Sequence, residues 1–140
     1  MKNSRLSRYA AAITAAFCLM TGSLVAAGSG ATLLGEPVGS VAVPAGFELR
    51  EIKEVIAVCL TAREWTIKDK SKDRLVGYLN HRGNEATLTL VIDANQIFMY
   101  CEGWKVDKLG KRLKPEQPKS WIEYMKNDLV KRLGVKSATK

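Results

Sequence analysis

The sequence predicts an α+β domain in which a four-stranded antiparallel meander carries two helices on one face, in the order α-β-β-β-β-α. Three observations predict it. Apolar residues recur at helical spacing over 48–62 and again over 121–133. Between Trp65 and Cys101 the period changes to two. The strands so defined close on short turns in registers that set apolar residues against one another.

The first helix is predicted over 48–62. Ile52, Val55, Ile56, Cys59 and Leu60 form one apolar stripe, with Glu48, Glu51 and Glu54 near the start and Arg63 at the end, as the helix dipole prefers. Trp65–Lys68 reads as a first short strand, turned by Lys70–Asp73. In the second, Leu75, Gly77 and Leu79 alternate with Val76, Tyr78 and Asn80. A hairpin closed on Gly83-Asn84 would pair Leu79 with Leu88, Gly77 with Leu90 and Leu75 with Ile92. The next, closed on Ala94-Asn95, would pair Ile92 with Ile97, Leu90 with Met99 and Leu88 with Cys101.

Residues 102–118 read as a polar, basic loop with Gly103, Gly110, Pro115 and Pro118. The last helix buries Trp121, Ile122, Met125, Leu129 and Leu133. Ser120 and Glu123 fit a capping box, Pro118 is a competing start, and Gly134 is the expected stop. Residues 136–140 are then a disordered tail, and the domain runs over 48–135.

The N-terminus sets the compartment. Lys2, Arg5 and Arg8 precede an apolar run from Ala10 to Val25, and Val25-Ala26-Ala27 supplies small residues before Gly28. That is the pattern of a cleavable secretion signal over 1–27, so the expected location is periplasmic or secreted. The competing reading is an uncleaved membrane anchor, for which the run is short and only mildly apolar. Phe17 stands where a lipid-modified Cys18 would need a small residue, so Cys18 leaves with the signal. Gly residues 28, 30, 35, 39 and 46, with Pro37 and Pro44, mark 28–47 as a flexible linker; Val41 and Val43 leave a short edge strand as the alternative. The remaining chain holds 19 Lys and Arg against 14 acids, a net +5 that favours anionic surfaces.

Export leaves Cys59 and Cys101 as an even pair. Helical spacing places Cys59 on the buried stripe, and strand parity places Cys101 on the helix-covered face. A Cys59–Cys101 disulfide is expected, with two buried free thiols as the alternative.

No residue set carries a catalytic, metal or cofactor signature, so no cofactor is expected. His81 is the sole histidine, no Ser sits in a strand–turn–helix elbow, and Asp69 and Asp73 flank a lysine-rich turn as solvated acids do. Two surfaces remain. One is the sheet face away from the helices, with Tyr78, Thr87, Thr89, Phe98 and Tyr100 beside Val76, Asn80 and Val91; its lack of charge fits a docking platform, a homodimer contact or ordinary strand composition. The other is the basic loop with Lys105, Lys108, Lys111, Arg112 and Lys114, which suits an anionic surface.

The helix leading into Arg63-Glu64-Trp65, the alternation from Val76 to Val91 and the Trp121-Ile122 start of the last helix together resemble a family of small bacterial exported proteins. Many of its members are lipoproteins and most are of unknown function. The likeness spans about residues 50–133. The chain departs from it in having no lipidation cysteine and in Cys101-Glu102-Gly103 after the fourth strand. The expected function is a non-enzymatic exported binding module for a macromolecule of the cell envelope, the alternative being a small inhibitor of a secreted or periplasmic enzyme. Export argues against nucleic acid as the partner.

Overall fold

The computed structural model describes residues 34–140; the expected signal over 1–27 and the start of the linker lie outside them. The described chain forms β1 (Gly39–Ala42), α1 (Leu49–Ala62), β2 (Thr66–Lys70), β3 (Arg74–His81), β4 (Asn84–Asp93), β5 (Gln96–Val106), β6 (Arg112–Pro115) and α2 (Lys119–Ala138). The class is α+β, as expected, but the sheet has more than four strands. β2 to β5 lie side by side in chain order; β1 then pairs with the free edge of β5, so the sheet is not a simple meander.

α1 buries the five residues of its predicted stripe. It ends where Glu64 takes φ 63°, with the Glu64 N–H bonded to Thr61 O and the Trp65 N–H to Leu60 O. This is the paired-bond helix stop that usually employs glycine at the left-handed position. Leu60 and Trp65 then lie together over Gly77, where an added Cβ would sit 2.7 Å from Leu60 Cδ2. The missing side chain on β3 is what lets α1 settle on the sheet.

The β4–β5 hairpin has the predicted register. The β3–β4 hairpin is displaced by two residues: Leu79 pairs with Ala86, Gly77 with Leu88 and Leu75 with Leu90. The loop is Arg82-Gly83, with φ values of 50° and 78°, the two left-handed residues a tight hairpin turn requires. A two-residue shift preserves side-chain parity, so every strand residue keeps its expected face.

Three segments differ from expectation at the sheet edge and the C-terminus. Val41 belongs to β1 rather than to a linker, buried against β5 with Val43 beside it. β5 continues to Val106, since β4 extends to Asn84 and pairs with it as far as Lys105. The far half of that long strand receives β6, so the expected basic loop is a hairpin. α2 starts at Lys119 with Pro118 as its N-cap, without the Ser120–Glu123 box, and passes through Gly134 to Ala138. Its last turns are held by Lys136 and Lys140, which pair with Glu51 on α1, so the expected tail is ordered.

Both helices cover the same face. α1 lies over β2, β3 and β4, and α2 lies against α1 and over β1. Leu75, Leu88, Leu90, Ile97 and Met99 are fully buried beneath them. Among the described residues no helix is long and apolar enough to cross a membrane.

Candidate binding surface

The opposite face of the sheet carries Tyr78, Thr87, Thr89, Phe98 and Tyr100 together, as parity requires. Cross-strand rows run Val76–Thr89–Tyr100 and Tyr78–Thr87–Glu102, followed by Asn80–Glu85–Trp104. It is not an open platform. Thr89 and Tyr100 are each only 7 % exposed, and Tyr78, Thr87 and Phe98 are half-buried.

A polar network organises one end of this face. Glu85 is 8 % exposed, so its carboxylate needs partners. Tyr78 Oη donates to Glu85 Oε2 at 3.0 Å, and Arg112 Nε donates to the other carboxylate oxygen. The Arg112 guanidinium lies 5.0 Å from the centre of the Trp104 ring, whose Nε1 donates to Glu102 at 2.9 Å. Lys68 Nζ stands 5.5 Å from the Tyr78 ring centre. Parity would put Arg112 on the same side of β6 as Lys114. A bulge at Leu113 breaks that alternation, pairing Lys114 with Lys105 and Arg112 with Val106, and so turns Arg112 onto the outer face. Arg112 therefore clasps β6 to β4 across β5. Glu85, Glu102, Trp104 and Lys68 were not singled out in the sequence, because a strand pattern of alternating residues does not reveal which polar side chains meet three strands apart.

Beyond the clasp projects the β5–β6 hairpin. Its turn is built on Asp107, whose Oδ1 accepts the Leu109 and Lys111 N–H groups at 2.9 Å each. The Asp107 N–H donates to Lys111 O, and the Gly110 N–H to Asp107 O, both at 3.0 Å. Leu109 stands 94 % exposed at the tip and Leu113 is 59 % exposed. Lys105, Lys108, Lys111 and Lys114 are all exposed around them. Lys114 approaches Glu116 at 3.7 Å; the other three make no ion pair among the described residues. Leu109 could have been noticed in the sequence as a lone apolar residue inside a lysine-rich turn.

Cys59 and Cys101 are free thiols, so the expected disulfide is corrected. Both do point into the layer between helices and sheet, but the two periodicities leave open which helix covers which strand. α1 packs mainly on β2 to β4, and the charges that act most on the Cys59 thiol are Arg132 and Asp128 on α2, followed by Arg63 at the end of α1. Cys101 lies on β5, partly buried at the rim of the core. Burial pushes each thiol up to about 11.

The groups weighed for catalysis do not converge. His81 is exposed at one end of β3, while Asp69 bonds Ser71 and Arg74 at the other, about 20 Å away along the strand. Among the described residues no three His, Cys, Asp or Glu side chains gather to hold a metal ion. A cleft of about 810 Å³ between α1 and α2, floored by Val55, Val58 and Val135, is a feature the sequence did not suggest. Ion pairs span it from Arg63 to Asp128 and from Glu54 to Lys136. No protein-family model, curated protein or solved structure matches this chain.

Proposed function

We propose that the chain is a non-enzymatic exported module that binds an anionic partner in the cell envelope or outside the cell through its β5–β6 hairpin. The observation that carries this reading is the arrangement of Lys105, Lys108, Lys111 and Lys114 along a hairpin whose turn is clamped by Asp107 and whose second strand is anchored by the Arg112–Glu85 contact. A pre-formed hairpin loses less conformational freedom on binding than a mobile loop would. Clustered exposed lysines, of which only Lys114 has an acidic partner among the described residues, raise the local potential and draw anions in, an effect that salt screens. In this reading Tyr78 and Trp104 shape the clasp that aims the hairpin, and the sheet face supports the contact.

The test is retention on an immobilised sulfated polysaccharide. Wild type is expected to bind at low salt and to elute well before ~1 M, where the screening length falls to about 3 Å. Changing the four hairpin lysines to Gln should abolish retention. Changing an equal number on α2 (Lys119, Lys126, Lys131 and Lys136) should only shift the elution. Equal elution of the two variants would overturn the proposal, because net charge alone would then explain the binding.

A further inference from the structure

We infer that the anionic partner is the surface of a lipid bilayer, entered by Leu109 while the hairpin lysines stay among the headgroups; this rests on the hairpin reading above. A single exposed leucine is ordinary on a protein surface. Leu109 is not ordinary in its setting, since it stands 94 % exposed at the apex of an ordered hairpin with Lys108 and Lys111 on either side. A polysaccharide or an acidic protein loop would be recognised by the lysines alone and gives the apex no role. A bilayer interface rewards both parts: anionic headgroups attract the lysines, and the acyl boundary accepts the apolar tip.

The backbone of the turn supplies a second argument. Inserting a turn into a water-poor region is opposed by unpaired N–H groups. Here the consecutive N–H groups of Leu109, Gly110 and Lys111 all have acceptors inside the hairpin, two on the Asp107 carboxylate and one on its carbonyl. That carboxylate is the only acid within the turn, it is half-buried, and its oxygen is turned inward onto the backbone. The tip can thus leave water with these three N–H groups still paired.

The experiment places an environment-sensitive nitrobenzoxadiazole label at Leu109→Cys in the full chain with Cys18→Ser and Cys101→Ser, where the remaining Cys59 is fully buried. Ser137→Cys, exposed near the end of α2, carries the same label as reference. On phosphatidylglycerol vesicles the label at 109 should brighten and shift to the blue, and the label at 137 should not. On phosphatidylcholine vesicles neither should respond. Leu109→Ser should weaken partition onto phosphatidylglycerol about tenfold, and each Lys→Gln in the hairpin about fivefold. Retention of Leu109→Ser on the sulfated polysaccharide should match wild type. A label at 109 that stays aqueous on phosphatidylglycerol, with polysaccharide retention still dependent on the four lysines, overturns the bilayer inference and leaves the anionic reading standing. Loss of that lysine dependence overturns both.

Discussion

The two faces of the sheet are held by different physics. Beneath the helices, Leu75, Leu88, Leu90, Ile97 and Met99 are stabilised by burial, which is strong but has no direction. On the outer face, Glu85, Tyr78, Arg112, Trp104 and Glu102 are held by contacts that each need one partner at one distance. The first face sets whether the domain folds. The second sets where the β5–β6 hairpin points.

Breaking the covered face should have the largest effect. Leu90→Ala opens a cavity in a fully buried position and should destabilise the whole domain by about 3–4 kcal/mol in chemical denaturation, with protection from hydrogen exchange reduced everywhere. Gly103→Ala comes next. Its methyl group would meet the Glu116 carbonyl oxygen and lie 2.7 Å from Pro118 Cδ, so the segment joining β6 to α2 must shift. A loss of about 2–3 kcal/mol is expected. Equal stability of Gly103→Ala and wild type would show that this close approach does not exist.

Arg112→Ala attacks the outer face and should separate the two kinds of order. It leaves Glu85 nearly buried with Tyr78 as its remaining partner, but Arg112 itself is half-exposed, so the cost is about 1–2 kcal/mol. Amides of residues 104–115 should exchange faster while those of β3 and the body of β4 keep their protection. A uniform loss across the domain would contradict the division drawn between the faces. Glu64→Gly acts in the opposite direction. Glycine adopts φ 63° without strain, so about 0.5–1 kcal/mol of stabilisation is expected, read as a higher melting temperature.

The smallest effect near neutral pH comes from the thiols. With Cys59 and Cys101 raised to about 11, the folded domain keeps protons that the unfolded chain releases from about pH 8.5 upward. Their contribution to stability is whole below that pH and is lost as pH rises towards 11. Native protein should resist alkylation at both cysteines at pH 7, and denatured, unreduced protein should be alkylated at both. A bridged peptide pair would return the disulfide.

How much of this was legible follows from the range of each interaction. The stripe of α1 and the β4–β5 register are set within a few residues, and each has the predicted form. The face shared by Tyr78, Thr87, Thr89, Phe98 and Tyr100 follows from parity, which survived even the two-residue displacement of the β3–β4 hairpin. The helix stop at Glu64 carries no glycine to announce it, and Gly134 suggested a stop that packing of Leu133 and the pairing of Lys136 with Glu51 override.

Local periodicity by itself determined the fold class, the buried stripe of both helices save for Trp121, which is half-buried, and the inward or outward direction of the middle strands, because these depend on spacings of two and 3.6 residues along the chain. Only the tertiary structure decided that β1 and β6 share the edge of β5, that α1 packs mainly on β2 to β4, and that Arg112 reaches Glu85. Those are choices between segments far apart in sequence. They are made by which edge is free, which helix reaches which strand and where a bulge falls, and no short-range pattern encodes them.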